Sequence, residues 1–277
     1  MALLESTELQ KKYSEKFKGK QKYPLWVLYD QKNADEKSYV KSIERVSNKY
    51  QINVNFVGLN DLSYEIIENF FDIAEKNNGK ILITFKAPNP FDNFDARSLA
   101  LDIDGCSGMS LSLLYGSMKK DKIFNNSIPC TAESILEMVN EYFGKDDLEG
   151  LKIAVVGRSY TVGLPVSFLL QRENATTTLY NSKSIIKYDE FTDYDAVISC
   201  AGVPEMIDSI NVGSCPVVFD AGVNTIISDD GKKKFVGDFE YNRESFNPLT
   251  SHIGQSFTPI KNGIGALTTK ILLSRLF

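Results

Sequence analysis

The sequence predicts an α/β protein of two domains, each a parallel sheet with flanking helices, the second Rossmann-like and dinucleotide-binding. In both halves, short apolar runs alternate with amphipathic segments of helical period, which is typical of βαβ units. Between the halves, at about 105–128, the pattern becomes polar and irregular. The length of 277 residues suits one large or two ordinary domains.

The first half is expected to alternate strands with helices. The period of its apolar residues predicts these elements in the order 25–30 (strand), near 36–50 (helix), 52–59 (strand), near 63–77 (helix) and 80–85 (strand). The second helix is expected to end at 77–79, where Gly79 can take the left-handed capping conformation.

A helix beginning at Pro129-Cys130-Thr131, with Thr131 as a candidate cap, marks the domain junction. We predict a first domain at 1–128, completed by an apolar C-terminal helix at 265–277, and a second domain at 129–264. Apolar runs predict strands of the second domain at 152–157, 176–180, 195–202 and 216–222.

Composition excludes several classes of function. The net charge is −5 with no basic stripe, so nucleic-acid binding is not expected. No apolar window suits a membrane span or a secretory signal, and the four cysteines lack C-x-x-C spacing, so we expect a reducing cytoplasm. With His252 as the only histidine, a Ser-His-Asp triad is not expected, nor a metal site.

The stretch VVGRSYTVGLP at 155–165 is a candidate nucleotide-binding turn. Gly157 ends an apolar strand and Gly163 lies at the start of the next helix, so the backbone can approach a pyrophosphate and the helix N-terminus can donate N–H groups. The spacing is looser than G-x-G-x-x-G, and an ordinary strand-to-helix turn fits the same residues.

The end of the following strand bears on the choice of cofactor. An acid there would favour an unphosphorylated ribose, but residues 181–184 contain none. Arg158, Ser182 and Lys183 can instead hold a 2′-phosphate. We therefore expect NADP rather than NAD.

GRSYTVGLPVSFLL followed by ATTTLYNSKS resembles the signature of the bifunctional methylenetetrahydrofolate dehydrogenase/cyclohydrolase family. Further blocks follow in the family's order: SYV (38–40), LDIDG (101–105), PCT (129–131), VVFDAGVN (217–224), FVGD (235–238) and FTPIKNGIGALT (257–268).

The resemblance implies two domains with a folate cleft between them. It implies cofactor contacts at Gly157, Arg158, Ser159, Gly163, Ser182 and Gly222, and substrate contacts at Tyr39, Asp104, Ile260 and Gly263. Asp104 matches the family's pterin-binding aspartate and Tyr39 its stacking tyrosine, so both are candidate catalytic-site residues. Without the resemblance, Asp104 is a turn-forming Asp-Gly residue and Tyr39 a half-buried helix aromatic.

Three places depart from the family pattern. One is the loop at 261–266, which reads KNGIGA where the family has P-G-G-V-G-P, beneath the folate and nicotinamide. The other two are single residues. The family's proton-transferring lysine, one helical turn after the tyrosine, is Ile43 here, and the glutamine that hydrogen-bonds that lysine is Thr84. We expect Ile43 to point into the folate cleft. Lys86 and Lys261 are cations near that cleft by alignment; either can replace the lysine or be a solvated rim charge.

These patterns predict a cytoplasmic enzyme, a homodimer, that oxidises 5,10-methylenetetrahydrofolate to 5,10-methenyltetrahydrofolate with NADP and has weak or absent cyclohydrolase activity. Two alternatives stay open. One is a fully bifunctional enzyme with a relocated base; the other is a catalytically reduced homologue that binds a folate or a partner.

Overall fold

A computed structural model describes residues 2–85, 96–116, 127–144, 147–228, 231–240 and 255–277. The chain divides into two compact units. The first contains Gln10–Cys130 and Thr268–Phe277, and the second contains Met1–Leu9 and Thr131–Leu267.

In chain order the elements are β1 (Ala2–Leu3), α1 (Thr7–Ser14), a 3₁₀ turn (Glu15–Lys18), β2 (Leu25–Asp30), α2 (Ala34–Tyr50), β3 (Val54–Leu59), α3 (Tyr64–Lys76), β4 (Lys80–Ile83), α4 (Ala96–Leu101), α5 (Gly108–Gly116), α6 (Cys130–Phe143), β5 (Lys152–Val156), α7 (Gly163–Arg172), β6 (Thr176–Tyr180), β7 (Ala196–Ser199), α8 (Ser209–Val212), β8 (Val217–Asp220), β9 (Asn224–Ile227), β10 (Lys233–Val236), β11 (Ser256–Phe257) and α9 (Ile264–Ser274).

The first unit contains a parallel sheet in the order β3-β2-β4. A parallel bridge between Ile81 and Asp102 extends the sheet beyond β4. Helix α3 packs its apolar side, including Ile67 and Phe71, onto buried strand residues such as Leu28. Because the three strands are parallel, their carboxyl ends meet along one edge, where an open parallel sheet binds its ligands.

The second unit contains a six-stranded sheet in the order β1-β11-β8-β7-β5-β6, in which every pairing is parallel. Residues 153–156 of β5 and 196–199 of β7 are all buried, as expected for central strands covered on both faces. Strands β9 and β10 form a separate antiparallel hairpin. The predicted α/β fold with two parallel sheets is confirmed.

Several details differ from the sequence-based expectations. The N-terminal residues group with the second unit because Ala2 and Leu3 pair with Ser256 and Phe257, whereas the sequence predicts a first domain at 1–128. By contrast, the C-terminal residues from Thr268 group with the first unit, where the sequence predicts the helix at 265–277. The stretch expected to be irregular contains α5, whose residues are apolar or small without a helical period.

Two predicted caps were also wrong. Helix α6 begins at Cys130, so Thr131 lies inside its first turn rather than capping it. After α3, the left-handed residue is Asn78 (φ 49°) rather than Gly79. Gly79 is instead required for packing, because a Cβ there would lie 2.2 Å from the Trp26 ring.

Within the described part of the chain, no helix combines the length and apolar character that crossing a membrane requires.

Candidate functional site

In the first unit, Asp102 builds the turn that presents Asp104. The Asp102 carboxylate is buried and accepts hydrogen bonds from the backbone N–H groups of Asp104 (3.0 Å), Gly105 (2.9 Å) and Ser107 (2.7 Å). The Ser110 hydroxyl also donates to it, at 2.8 Å. Asp102 itself forms the parallel bridge with Ile81 of β4, so the residues that follow it run toward the carboxyl edge of the sheet.

Arg275, just after α9, holds the same turn from the C-terminus of the chain. Its guanidinium donates to the carbonyl oxygens of Ile103 (2.8 Å) and Ile128 (2.6 Å). The Cys130 N–H donates to the Asp104 carbonyl at 3.0 Å. The backbone of Asp104 is therefore fixed from three sides, and its side chain remains partly exposed.

The environment of Asp104 favours the protonated form of its carboxyl more than water does. Burial, and then the Asp102 charge, raises the pKa of the Asp104 carboxyl, while Arg275 and the thiols of Cys130 and Cys106 act in the opposite direction. The Cys106 Sγ lies 3.4 Å from Asp104 Oδ2. An aspartate with a raised pKa and a partly exposed side chain is suited to pair with the donor groups of a polar ring.

Tyr39 lies on α2 within reach of this charge. Burial, and then Asp104, raises the pKa of the Tyr39 phenol well above its ordinary value, so its hydroxyl stays protonated. The structure thus brings Tyr39 and Asp104 together at one edge of the sheet. Cys106 and Arg275 belong to the same cluster, but no sequence motif indicated them.

The expected position of Ile43 was wrong. Ile43 has no exposed surface and belongs to the core of the first unit, so it does not line an open cleft. Helix α2 leaves the carboxyl edge of β2 and runs back along the sheet, and each turn carries it about 5.4 Å further from that edge. Ile43 therefore lies about one turn further along α2 from that edge than Tyr39 does.

Thr84 has a different partner from the one the family pattern suggests. Its hydroxyl lies 2.7 Å from Glu36 Oε2 and 3.3 Å from the Leu28 carbonyl. Glu36, in the first turn of α2, also accepts the Asp30 N–H at 2.9 Å. A carboxylate thus links the ends of β2 and β4. Lys86, the suggested substitute base, lies outside the described residues.

In the second unit, the turn after β5 is shaped by close packing of its two glycines. Gly157 has φ 122°, and a Cβ there would lie 2.5 Å from the Cys200 carbonyl. A Cβ on Gly163 would lie 2.1 Å from the Gly157 carbonyl. Both glycines bring α7 against the sheet, which points its N-terminus at the carboxyl edge.

Ser159 closes this turn. Its hydroxyl oxygen accepts hydrogen bonds from the N–H groups of Val162 (3.2 Å) and Gly163 (3.4 Å) at the start of α7. Arg158 and Ser159 are exposed. Ser182 and Lys183, after β6, are exposed at the same edge, in a turn where Asn181 Oδ1 accepts the Lys183 N–H at 2.9 Å.

Gly222 follows β8 and lies among carboxylates that sequence reasoning missed. Its N–H donates to Asp220 Oδ1 at 2.8 Å, and a Cβ on it would lie 2.2 Å from Asp238 Oδ1. Asp238 is fully buried. A glycine lies close to each aspartate in the sequence, in DAG (220–222) and VGD (236–238), and this pattern was the signal that could have indicated the two carboxylates.

The loop after β11 carries Ile260, Lys261 and Gly263. Ile260 and Lys261 are exposed, and a Cβ on Gly263 would lie 1.9 Å from the Pro259 carbonyl. The buried Ser6 hydroxyl donates to the carbonyls of Asn262 (2.7 Å) and Gly263 (2.9 Å), so the N-terminus fixes this loop. Among the described residues, no cluster of His, Cys, Asp and Glu could hold a metal ion.

This fold and turn define the class of NAD(P)-binding α/β enzymes. The profile of the family "Tetrahydrofolate dehydrogenase/cyclohydrolase, NAD(P)-binding domain" matches residues 129–277. The chain is 30% identical to the Bifunctional protein FolD of Dictyoglomus thermophilum, over 97% of this chain and 92% of that protein. The chain therefore belongs to the tetrahydrofolate dehydrogenase/cyclohydrolase family, as its motifs predicted.

Two further proteins extend the comparison. The chain is 32% identical to the mitochondrial C-1-tetrahydrofolate synthase of Schizosaccharomyces pombe over 63% of its own length, but spans only 17% of that protein. The methylenetetrahydrofolate dehydrogenase-cyclohydrolase (FolD) of Trypanosoma brucei, solved with NADP and an inhibitor, has a similar fold. The TM-score is 0.75 at 22% identity, covering 98% of this chain and 93% of that one.

Proposed function

We propose that this protein oxidises 5,10-methylenetetrahydrofolate to 5,10-methenyltetrahydrofolate, with NADP as hydride acceptor. The observation that carries the proposal is the Asp104 turn, which presents a carboxyl of raised pKa beside the Tyr39 phenol in a chain of this family. We assign Asp104 to the donor edge of the pterin and Tyr39 to its aromatic face. Ile260 and Gly263 are proposed to complete the folate contacts.

NADP would be held by the second unit. Gly157 and Gly163 leave room for the pyrophosphate at the start of α7, and Ser159 orders that turn. The exposed Arg158 and Ser182 are proposed to hold the 2′-phosphate, and Gly222 to border the nicotinamide end. The cofactor supplies the hydride acceptor, so the protein has mainly to orient the two ligands.

We further propose that cyclohydrolase activity is weak or absent. Hydrolysis of the methenyl group needs a proton-transfer residue, which typically contributes about 10²–10⁴-fold. Ile43 is apolar and buried, and the Thr84 hydroxyl is hydrogen-bonded to Glu36. Bifunctional activity through a relocated base is the second candidate, and the exposed Lys261 is one such cation.

Two assays on the unmodified protein test this assignment. We expect NADP reduction with methylenetetrahydrofolate, and decay of methenyltetrahydrofolate absorbance at the uncatalysed rate. Rapid decay would favour the bifunctional alternative. Failure of both reactions, with folate still bound, would favour a catalytically reduced binding protein.

We also propose a homodimer formed through the β9–β10 hairpin. The pairing register places Thr225, Ile227, Lys233 and Phe235 on one face, and on it Ile227 is 74% exposed and Phe235 47% exposed. Apolar side chains on an exposed hairpin are suited to pair with a second copy. Ile227→Glu is expected to give monomers by analytical ultracentrifugation, and the exchange Tyr188→Glu serves as the exposed-aromatic control.

A cytoplasmic location and the absence of nucleic-acid binding complete the proposal. All four cysteines are free thiols, and the net charge is −5. Thiol titration of protein isolated from its native host is expected to find four reduced cysteines, and no retention on immobilised DNA or RNA at physiological salt is expected.

A further inference from the structure

Asp220 and Asp238 connect the loops at the carboxyl edge of the six-stranded sheet. Asp238 Oδ2 accepts hydrogen bonds from the N–H groups of Ala201 (2.7 Å) and Gly202 (3.0 Å), in the loop after β7. Asp238 Oδ1 accepts from the Asn224 side-chain amide at 2.8 Å. One carboxylate therefore ties the loop after β7 to the start of β9.

Asp220 makes the complementary set of contacts. Its Oδ1 accepts from the N–H groups of Gly222 (2.8 Å) and Asp238 (3.1 Å), and its Oδ2 accepts from the Phe239 N–H (3.0 Å). All three donors are backbone N–H groups, which can donate a hydrogen bond but cannot accept one. Thr258, after β11, fixes the backbone of Asp220 through a hydrogen bond of 2.7 Å from the Asp220 N–H.

Each carboxylate also packs against the glycine beside the other. A Cβ on Gly222 would lie 2.2 Å from Asp238 Oδ1, and a Cβ on Gly237 would lie 1.8 Å from Asp220 Oδ2. No larger residue fits at either glycine without moving a carboxylate. The loops after β7 and β8 and the segment after β10 are therefore fixed relative to one another through these two side chains.

We propose that Asp220 and Asp238 are positioning residues for the cofactor, which set the loops at 200–202 and 221–224 at the spacing that NADP binding requires. Neither carboxylate is assigned a contact with NADP. Two neighbouring carboxylates are a costly way to stabilise a fold, because desolvation and like charge both oppose them. A geometric role in these loops accounts for the arrangement. The inference rests on the proposed use of NADP.

The two aspartates differ in a way that gives a direct test. In Asp238→Asn, the amide oxygen can still accept from Ala201 and Gly202, and the Asn224 amide can turn to present its own oxygen to the new NH₂ group. In Asp220→Asn, the new NH₂ group must face a backbone N–H, which leaves a buried donor unsatisfied. Asp195→Asn is the matched control, since Asp195 accepts the Lys152 N–H at the amino edge of the same sheet.

The experiment measures the NADP dissociation constant by calorimetry for the parent and each variant, together with the KM for the folate at saturating NADP. We expect Asp220→Asn to raise the NADP dissociation constant about tenfold or more, and Asp238→Asn to raise it less than about threefold. Asp195→Asn is expected to match the parent, and the folate KM to stay constant throughout.

An Asp220→Asn protein that melts at a lower temperature but binds NADP like the parent would overturn the inference, because its role would then be purely structural. If Asp220→Asn does not fold, Asn224→Ala removes one donor to Asp238 and is expected to weaken NADP binding about threefold. Unchanged binding in that variant also overturns it. A parent that binds no NADP refutes the proposed function and this inference together, whereas normal binding by every variant refutes the inference alone.

Discussion

Raising the pH through about 6 is expected to reduce the stability of the folded protein through Asp220. Burial raises the pKa of this carboxyl to about 6, and Asp238 adds to the effect, although hydrogen bonds from Phe239 and Gly222 oppose it. In the unfolded chain an aspartate titrates near its ordinary value of about 3.9. Between these values the folded protein holds a proton that the unfolded chain has lost.

This difference in bound protons sets the direction in which the unfolding free energy changes with pH. The proton-linked stabilisation is complete below about pH 4 and is lost as the pH rises through about 6. A gap of about 2 pH units corresponds to about 3 kcal/mol of unfolding free energy, which is an upper value because Asp220 is partly exposed. The groups facing Asp220 include the Asp238 carboxyl and the Cys200 thiol. Burial, and then the charges of Asp238 and Asp220, raise the pKa of that thiol to about 12, so it does not titrate in this pH range.

The assay is urea unfolding of the parent and Asp220→Asn at several pH values between about 4 and 8. Other acids titrate in both proteins, so the difference between their unfolding free energies isolates Asp220. We expect the parent to lose up to about 3 kcal/mol relative to the variant as the pH rises across this range. A difference that does not change with pH would show that Asp220 is ionised throughout and that the reasoning from burial is wrong.

Four further predictions concern cofactor binding, folate binding, stability and hydrolysis. Arg158→Ala is expected to weaken NADP binding about tenfold, through loss of a charge-assisted hydrogen bond, and to leave NAD binding unchanged; equal losses for both cofactors in calorimetry would contradict this. Asp104→Asn is expected to weaken folate binding about tenfold with the melting temperature and NADP affinity unchanged, whereas a lower melting temperature with normal folate affinity would mean that Asp104 only forms the turn. Ile43→Lys is expected to lower the unfolding free energy by about 3–5 kcal/mol because it buries an unpaired charge, and urea unfolding measures this. The double variant with Thr84→Gln is expected to hydrolyse methenyltetrahydrofolate faster than either single variant; equal rates would show that the amide does not support the lysine.

Continuous apolar runs predicted most of the strands, because a parallel strand covered on both faces is apolar along most of its length. The run at 25–30 coincides with β2, and the runs at 152–157 and 195–202 contain β5 and β7. The β9–β10 hairpin was missed because its strands carry Asn, Thr and Lys beside apolar residues, and its stability comes from pairing rather than from a buried face. The two-residue strands β1 and β11 are too short to show any period.

The site residues also fall into two groups, those that a short local motif could indicate and those that only the tertiary fold brings into place. Asp104 and Tyr39 belong to short motifs, so the sequence could indicate them. Arg275 supports Asp104 from 171 positions further along the chain, and the Arg275–Ile103 contact depends on tertiary folding. Asp238 likewise joins loops that only the sheet order brings together. Contacts of this kind have no local sequence signal.

Ile43 and Thr84 show how a matched motif can change its chemistry without changing the fold. With an apolar residue at 43 there is no cation for position 84 to support, and Thr84 instead donates to Glu36. Glu36 also accepts the Asp30 N–H, so it holds the first turn of α2 against the edge of the sheet, and Tyr39 lies three residues further along the same helix. Replacing Thr84 with glutamine alone therefore removes a support of that turn without supplying a proton carrier. Gain of hydrolysis requires the lysine and the amide together, in a core that must also open to accept the charge.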